Sequence, residues 1–345
     1  MEHNDNNNDI NNDINNDNDK PLVKLIVAVC KGGGIGINGN LPWKISDDLK
    51  YFSKLTSGDY GQYMRDTEKY INMDKPSAKI CKDELNIKKN VIIMGKNTWL
   101  SLPNYPKPLP YRDSIILSTT ISNNDDTYPE YCQPGYNHDL NIHFSSISHA
   151  MRFCHSDLEG NEGTNPALYR SEKSVERIDR ENMINSGGKR YNEIWIIGGE
   201  KVYKSIMDMN SMRTSMTNSM RTSMTNSMRT SMTNSMRTSM TNSMTNILID
   251  EFYITYIDKE YKCDTFFPLI ENMNLYSLES IETKVCKCQD HDGISYVNIY
   301  YLVFKTVNKH YNIIVDGRMN INPLIATEEN IELVKKLKIG IWDTP

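Results

Sequence analysis

Two adjacent acids, Asp47 and Asp48, stand at the start of a predicted amphipathic helix over residues 46–56. Residues four apart share one face of a helix, so Asp48 lies on the apolar face with Phe52, whereas Asp47 points toward Tyr51 and solvent. A carboxylate on an apolar face needs a buried partner or a ligand. Asp48 is therefore a candidate ligand-binding acid. A favourable interaction with the helix dipole is the alternative for Asp48 and the preferred interpretation of Asp47.

Glycine-bearing turns follow three of the apolar segments. The turn at residues 30–36 lacks the GxGxxG order of a dinucleotide fingerprint, whereas the turns at 94–98 and 197–201 each place glycine and a lysine, Lys96 or Lys201, at a predicted helix start. Free N–H groups at a helix start, beside a cation, form an anion site. Each turn alone is also explained as a tight connection. Two such turns at the carboxyl ends of parallel strands would suit a pyrophosphate that spans the crevice between them.

The elements that must position these residues alternate along the chain. Apolar runs rich in Val, Ile and Tyr predict buried strands, and short amphipathic segments predict helices between them. The predicted strands are 22–30, 91–94, 114–117, 193–197, 252–256 and 297–304, and the predicted helices are 46–56, 98–102 and 199–207. Alternating strands and helices predict an α/β fold with a mostly parallel central sheet and flanking helices. The last strand has no helix before it, so we expect it to join as an antiparallel edge strand.

Biased segments account for much of the length of the chain. Residues 1–20 are almost entirely Asn and Asp and are predicted to be disordered, because they offer little apolar surface to bury. Residues 211–242 repeat the unit SMRTSMTN four times, with a half copy at 243–246. Methionine at every fourth position could form a helical stripe, but Ser, Thr and Asn favour a disordered insertion. Polar insertions at 57–89, 121–141 and 156–190 are likewise expected to be disordered or loosely packed.

Composition argues against several classes of protein. The net charge is −5 and the sequence has no basic block, which disfavours a nucleic-acid partner. No run of about 18 apolar residues occurs, so no membrane span is predicted. The seven cysteines are scattered and form no CxxC pair, which predicts reduced thiols in a cytoplasmic protein. The segment 286–288 carries two cysteines that could hold a metal only with further ligands, so no metal site is predicted.

Sequence blocks in a fixed order resemble the dihydrofolate reductase family. Their spacing matches from about residue 22 to 305 once the insertions are set aside, which predicts one domain over 21–305. The matching blocks are 26–29, 34–36, 38–43, Asp48 with 51–52, 91–99, 108–112, 115–118, 194–203 and 264–268. The resemblance implies a three-layer sandwich and reduction of dihydrofolate by NADPH. The long insertions resemble those of protozoan members, especially the apicomplexan bifunctional enzymes with a fused thymidylate synthase.

The resemblance implies a role for each matched residue around the substrate. Asp48 would bind the 2-amino group and N3 of the pteridine through two charge-assisted hydrogen bonds, Trp43 would hold a water near it, and Thr255 would hydrogen-bond Asp48 and the substrate. Arg112 would clamp the α-carboxylate of the glutamate tail with its guanidinium fork. The other substrate-binding residues, which would border the rings, are Ile26, Val27, Phe52, Leu102, Leu109, Ile197 and Tyr203.

The same resemblance implies the NADPH contacts. Ala28, Ile35, Gly39, Asn40 and Leu41 would lie near the nicotinamide half, and Gly95, Lys96, Asn97 and Thr98 would hold one phosphate region. Gly198, Gly199, Glu200, Lys201 and Val202 would hold the pyrophosphate, and Leu117, Ser118 and Thr119 would line the adenosine. Lys96 supplies positive charge for the 2′-phosphate, but Thr119 replaces an arginine that many members carry.

The remaining residues, 306–345, are predicted to be a linker followed by a segment at 329–343 that resembles a helix–turn of thymidylate synthase. An ordinary amphipathic helix is the alternative. Synthase activity is not expected, and a homodimer is expected only if a complete synthase domain exists. Two other functions stay open: a non-catalytic folate- or nucleotide-binding relic, against which Trp43, Asp48 and Arg112 argue, and a generic Rossmann oxidoreductase, against which the missing GxGxxG argues.

Overall fold

The computed structural model describes residues 20–71, 87–103, 105, 107–119, 141–155, 191–223, 249–270, 273–307, 313–315 and 319–336. The strands are β1 Leu22–Lys31, β2 Gly34–Gly36, β3 Trp43–Ile45, β4 Asn90–Gly95, β5 Arg112–Leu117, β6 Asn141–Phe144, β7 Glu193–Gly198, β8 Glu251–Glu260, β9 Thr265–Phe266, β10 Tyr276–Asp290, β11 Gly293–Thr306, β12 Ile313–Val315 and β13 Met319–Ile321. The helices are α1 Ser46–Ile71, α2 Lys96–Leu100, α3 Ile147–His155, α4 Glu200–Ser223 and α5 Glu328–Lys336.

A parallel sheet in the order β8-β1-β7-β4-β5-β6 forms the centre of the fold. Strands β1, β4, β5 and β7 are buried on both faces over most of their length, and Ile92 and Ile93 on β4 are both fully buried. Parallel strands become continuous apolar runs when both faces are covered. The predicted α/β fold with a mostly parallel sheet and flanking helices is confirmed.

The last predicted strand, β11, is antiparallel to β8 as expected, but it is not an edge strand. β10 pairs along its whole length from Tyr276 to Asp290, and β13 and then β12 extend the sheet beyond β10. The strand β10 was not predicted, because the charged side chains of Glu282, Lys284 and Lys287 interrupt its apolar pattern. The edge position was therefore predicted wrongly.

Helix α1 extends well past the predicted end at residue 56, so the prediction of a loosely packed insertion is wrong for residues 57–71. The helix is kinked at Gly58, where φ is 54°. A Cβ on Gly58 would lie 2.7 Å from Asn90 Nδ2, which donates a hydrogen bond to the Thr56 carbonyl at 3.2 Å. The second half is stabilised by polar contacts such as Arg65 with Ser57, which apolar periodicity does not reveal.

Helix α4 includes the first part of the repeat. Residues 211–223 are helical, so the predicted disorder is wrong for them. The helix begins with the buried side chains of Val202, Tyr203 and Ile206, and an established helix extends without a new nucleation cost. Residues 224–246 lie outside the described residues, as do residues 1–19, 72–86, 121–140 and 156–190, for which disorder or loose packing was predicted.

Two regions gained elements that the sequence did not predict. β6 and α3 follow the insertion at 121–141, and Ala150, Met151 and Cys154 of α3 enter the core. At the other end, β12 and β13 extend the sheet where a linker was predicted, and Ile321 is fully buried. The helix α5 lies where a helical segment was predicted within 329–343, and its Val334 is 6% exposed. The apolar runs in this tail are short and widely separated, so the sequence alone did not predict that β13 would pair with β10. No helix within the described ranges is long and apolar enough to cross a membrane.

Candidate active site

Asp48 lies in the first turn of α1 and is 7% exposed. The hydroxyl of Thr255, on β8, donates a hydrogen bond to its carboxylate. Burial raises the pKa of Asp48 to about 6, and the Thr255 hydrogen bond opposes this rise. The ionised form of a carboxylate that is buried away from solvent is stabilised by a ligand that brings hydrogen-bond donors or positive charge.

Asp47 points away from this position, as the helical spacing predicts. Its Oδ2 lies 3.1 Å from Lys284 Nζ on β10 and accepts a hydrogen bond from the Cys286 thiol at 3.5 Å. These hydrogen bonds hold the pKa of Asp47 below its usual value. The cross-strand partners of Asp47 were not predicted, because they lie more than two hundred residues along the chain. Asp47 is paired with a cation of the protein, whereas Asp48 is buried and remains a candidate for binding a ligand.

Trp43, on β3, contributes an unused donor close to the start of α1. The side chain is 4% exposed and packs against Tyr261, with ring centroids 5.3 Å apart. Its indole N–H is buried and has no hydrogen-bond partner among the described residues. A buried polar group of this kind is usually satisfied by an ordered water or a ligand. The predicted role of Trp43 in holding a water fits this observation.

The apolar wall beside Asp48 comes from one cluster that joins α1 to the sheet. The predicted substrate contacts that share this cluster are Ile26, Phe52, Leu102, Leu109 and Ile197. Val27 and Tyr203 belong to a separate core cluster, because successive residues of a strand face opposite sides. Tyr203 still reaches the first group, since its hydroxyl donates a 2.8 Å hydrogen bond to the Ile26 carbonyl.

Arg112 begins β5 and is 2% exposed. Its guanidinium donates to the hydroxyls of Ser53 and Thr56 on α1, and it lies 6.0 Å from the centre of the Phe52 ring. The Pro110 carbonyl accepts a further bond at 3.0 Å. These contacts hold the guanidinium beside the apolar wall, at positions five and eight residues along α1 from Asp48.

The two lysine-bearing glycine turns meet at the carboxyl ends of β4 and β7, as predicted. Met94 pairs with Gly198, and a Cβ on Gly95 would lie 3.2 Å from Val202 Cγ2. A Cβ on Gly199 would lie 3.2 Å from Thr98 Oγ1. Close backbone approach of this kind leaves main-chain N–H groups of two helix starts at one edge of the sheet.

Comparison with known proteins shows which family the chain resembles. Residues 22–67 match the family model described as dihydrofolate reductase. The chain is 25% identical over 285 residues to a dihydrofolate reductase of Aedes albopictus, covering 83% of this chain and 97% of the relative. It is 24% identical over 272 residues to that of Gallus gallus, covering 79% and 90%. The chain therefore resembles dihydrofolate reductases over most of its length.

A third relative is a bifunctional protein. The chain is 27% identical over 256 residues to the bifunctional dihydrofolate reductase-thymidylate synthase of Plasmodium chabaudi, covering 72% of this chain and 30% of the relative. The predicted resemblance to the reductase part of apicomplexan members of the dihydrofolate reductase family is therefore confirmed.

The other residues predicted to contact the cofactor fall into two groups. Leu117 pairs with Gly95 in the β4–β5 register, so Leu117, Ser118 and the exposed Thr119 continue the same edge of the sheet. The second group lies around β2, where Ile37 and Asn40 exchange backbone hydrogen bonds of 2.9 and 3.0 Å. In that group Ile35 is half-buried, whereas Gly39 and Asn40 are exposed and Leu41 is 50% exposed.

Sequence reasoning missed two tyrosines next to the candidate acid. Tyr51 and Tyr301 have ring centroids 4.2 Å apart, and the nearby charge of Asp48 contributes to the raised pKa of both hydroxyls, with burial the larger cause. Tyr301 also pairs directly with Thr255 across β11 and β8. The sequence placed Tyr301 within a predicted strand. It did not predict the antiparallel register that brings Tyr301 close to Asp48.

Proposed function

We propose that this chain is an oxidoreductase of the dihydrofolate reductase type, which reduces 7,8-dihydrofolate to 5,6,7,8-tetrahydrofolate with NADPH. The observation that carries the proposal is the buried Asp48 carboxylate, hydrogen-bonded by Thr255 and bordered by the apolar wall. A pteridine has both an apolar face and an amidine-like edge of hydrogen-bond donors. The site offers a matching surface for each.

Asp48 binds and orients the ring in this proposal. With a pKa of about 6, its carboxyl is mainly ionised at neutral pH and can accept two parallel hydrogen bonds from the 2-amino group and N3. The buried negative charge also favours the protonated pteridine, whose C6 accepts a hydride more readily. Thr255 keeps the carboxylate in place and supplies a second contact to the amino group. Orientation matters because hydride transfer depends on close approach of the reacting atoms.

Trp43 supports the proton side of the reaction. Its buried indole N–H is available to hold a water between the protein and the ring. A water in that position can bring the proton to N5, so Asp48 does not need to donate it directly. The exclusion of other solvent by the apolar wall keeps the charge of Asp48 effective.

The rest of the substrate runs along α1. Phe52 and Leu102 would enclose the pteridine and the benzoyl group, and Leu109 would extend this surface. Arg112 lies beside Phe52, where its fork can pair with the α-carboxylate of the glutamate. Its hydrogen bonds to the α1 hydroxyls hold the guanidinium in one orientation before the substrate arrives.

The glycine turns fit a dinucleotide. The absence of side chains at Gly95 and Gly199 leaves room only for backbone beside Val202 and Thr98, which is the arrangement that a pyrophosphate requires. When bound, the nicotinamide cofactor supplies the hydride. Lys96 and Lys201 add positive charge near the phosphates and favour NADPH over NADH, whereas Thr119 leaves this preference weaker than an arginine would.

The experiment is NADPH oxidation by the purified chain in the presence of dihydrofolate, followed at about 340 nm, where the reduced nicotinamide absorbs. Turnover that requires both compounds and is slower with NADH supports the proposal. Binding of dihydrofolate without turnover would instead identify the non-catalytic relic. Turnover of another substrate without dihydrofolate binding would favour a generic oxidoreductase.

A further inference from the structure

Two thiols lie together beside the nicotinamide half of the proposed site. Cys30 ends the buried part of β1, and Cys263 lies in the segment between β8 and β9. Their sulfur atoms are 3.8 Å apart although the residues are 233 positions apart in sequence. Cys30 is 1% exposed and Cys263 is half-buried, so the pair has one solvent-accessible member.

The two sulfurs lie beside Gly34, the first residue of β2, in the space that a side chain would occupy. A Cβ on Gly34 would lie 2.5 Å from Cys263 Sγ and 3.0 Å from Cys30 Sγ. Backbone N–H groups of Gly34 and Tyr261 hydrogen-bond the Cys30 sulfur. Movement of the Cys30 sulfur therefore changes its hydrogen bonds to the backbone at Gly34 and Tyr261.

The segment after Cys263 is already tied to the loop that follows β1. The Phe267 N–H donates to the Gly33 carbonyl at 2.9 Å, and the Asp264 N–H donates to the Gly36 carbonyl at 3.0 Å. The Asp264 carboxylate in turn accepts the Asn38 N–H at 2.8 Å. This loop carries Ile35, Gly39, Asn40 and Leu41, which are assigned above to the nicotinamide half of the cofactor.

We propose that Cys30 and Cys263 are a redox-sensitive dithiol, which a low-molecular-weight disulfide converts to an intramolecular disulfide that slows the enzyme. The thiolate of the accessible Cys263 attacks the external disulfide, forms a mixed disulfide and releases one external thiol. The thiolate of Cys30 then attacks the Cys263 sulfur of the mixed disulfide and displaces the second external thiol. Two protein thiols are oxidised and one external disulfide is reduced to two thiols, so the exchange balances.

The order of attack follows from the environment of each thiol. Burial raises the pKa of Cys30 to about 12, with the neighbouring Cys263 as a further cause, so Cys30 is a poor first nucleophile. Once the mixed disulfide holds an electrophilic sulfur beside Cys30, the second step becomes intramolecular. Cys30 then reacts from a fixed position, which compensates for its low fraction of thiolate.

Bond formation brings the sulfurs from 3.8 Å to about 2.0 Å. Both sulfurs occupy the space beside Gly34 that a side chain would fill, so we expect their movement to shift the β1–β2 turn and Ile35. A displacement of about 1 Å in a group that positions reactants can cost on the order of a hundredfold in rate. We therefore expect the disulfide to lower NADPH oxidation by about ten- to hundredfold. This effect rests on the proposed function, whereas formation of the bond does not.

The test uses the full chain with Cys81 and Cys132 replaced by serine, which leaves the five described cysteines. The protein is treated with oxidised glutathione, digested without reduction and mapped by mass spectrometry, and NADPH oxidation is measured in parallel. A cross-linked peptide pair containing Cys30 and Cys263, with a loss of activity that dithiothreitol reverses, is the expected result. The variant Cys263→Ser should keep its activity under the same treatment, and Cys154→Ala, which removes a remote buried thiol, should still be inhibited.

Two results would overturn the proposal. One is the absence of the Cys30–Cys263 cross-link after oxidation. The other is a cross-link that leaves the rate of NADPH oxidation unchanged. If the reduced protein has no turnover at all, the proposed function fails first, and peptide mapping still decides whether the dithiol closes.

Discussion

The Thr255 hydroxyl donates a hydrogen bond to the Asp48 carboxylate and so joins the centre of the sheet to the first turn of α1. This bond lowers the pKa of an acid whose burial raises it to about 6. Thr255 is itself 1% exposed and lies between Ala28 on β1 and Tyr301 on β11. The protonation of Asp48 therefore depends first on its burial and then on a residue far from it in sequence.

Replacing Thr255 should move the pH dependence of activity. In Thr255→Val the hydroxyl is lost while the burial remains, so the pKa of Asp48 rises further above its ordinary value of 3.8. The acid limb of the kcat/KM profile should shift to higher pH, with a loss of activity at pH 7 that shrinks at pH 8. Thr255→Ser keeps the hydroxyl and is the matched control. An unchanged acid limb in the valine variant would show that Asp48 does not govern it.

The two neighbouring aspartates should differ sharply in their effect on turnover. Asp48→Asn keeps the shape of the side chain but removes the charge that favours the protonated pteridine, and loss of such stabilisation costs about 10²–10³ in rate. The deficit should shrink at low pH, where dihydrofolate is protonated without help. Asp47→Asn, which loses the partly exposed ion pair with Lys284 and weakens the hydrogen bond from Cys286, should remain close to the parent rate. Equal losses in the two variants would contradict the assignment.

The same substitution should stabilise the unliganded protein. The folded-state pKa of Asp48, about 6, lies above its ordinary value of 3.8, so the folded state binds the proton more tightly than the unfolded chain. The charge therefore destabilises the fold increasingly as the pH rises through this window. Asp48→Asn should raise the free energy of unfolding at pH 7 by on the order of 1–3 kcal/mol, because one pKa unit corresponds to about 1.4 kcal/mol.

Urea unfolding of the parent and of Asp48→Asn at several pH values measures this difference. It should be fully developed above a pH of about 6 and should vanish below 3.8, where both side chains are neutral. A difference of constant size over the whole range would indicate a packing effect instead of the buried charge.

Arg112 should matter only for substrates that carry the glutamate. Arg112→Lys keeps a cation but loses the fork, and we expect a higher KM for dihydrofolate with an unchanged KM for NADPH. Breaking one partner of a desolvated pair costs about 2–5 kcal/mol, which sets the upper range of the effect. Dihydropteroate, which lacks the α-carboxylate, is the decisive comparison. If the variant loses as much with dihydropteroate as with dihydrofolate, Arg112 supports α1 through Ser53 and Thr56 rather than binding the tail.

The repeat should be dispensable for turnover. Its two ends meet, since Ile249 N donates to Asn210 Oδ1 at 3.3 Å. Replacing residues 211–246 by a short Gly/Ser linker should leave kcat/KM nearly unchanged, because each halving of loop length changes the closure free energy by only about 0.6 kcal/mol. Asn210→Ala is the contrasting variant, because it breaks the buried bonds to Ile249 and Tyr276 and should lower the melting temperature. Insoluble protein after the deletion would show that the repeat packs on the core.

Local patterns in the sequence were enough to predict the parallel half of the fold and the direction in which Asp48 points. Helical and strand periodicities are properties of neighbouring residues, so the buried strands β1, β4 and β7 and the start of α1 follow from the sequence nearby. Glycine at the ends of β4 and β7 likewise marked turns, and parallel pairing then brought Gly95 and Gly198 to one edge. The ordered blocks that resemble the family added the expected chemistry of these positions.

Tertiary structure alone decided which distant residues meet. The register of β11 on β8 places Tyr301 beside Thr255, and β10 brings Lys284 to Asp47. The 3.8 Å approach of Cys30 to Cys263 depends on the path of the chain between β8 and β9. None of these contacts leaves a periodic signal, because each depends on pairing between segments that are separated by tens to hundreds of residues.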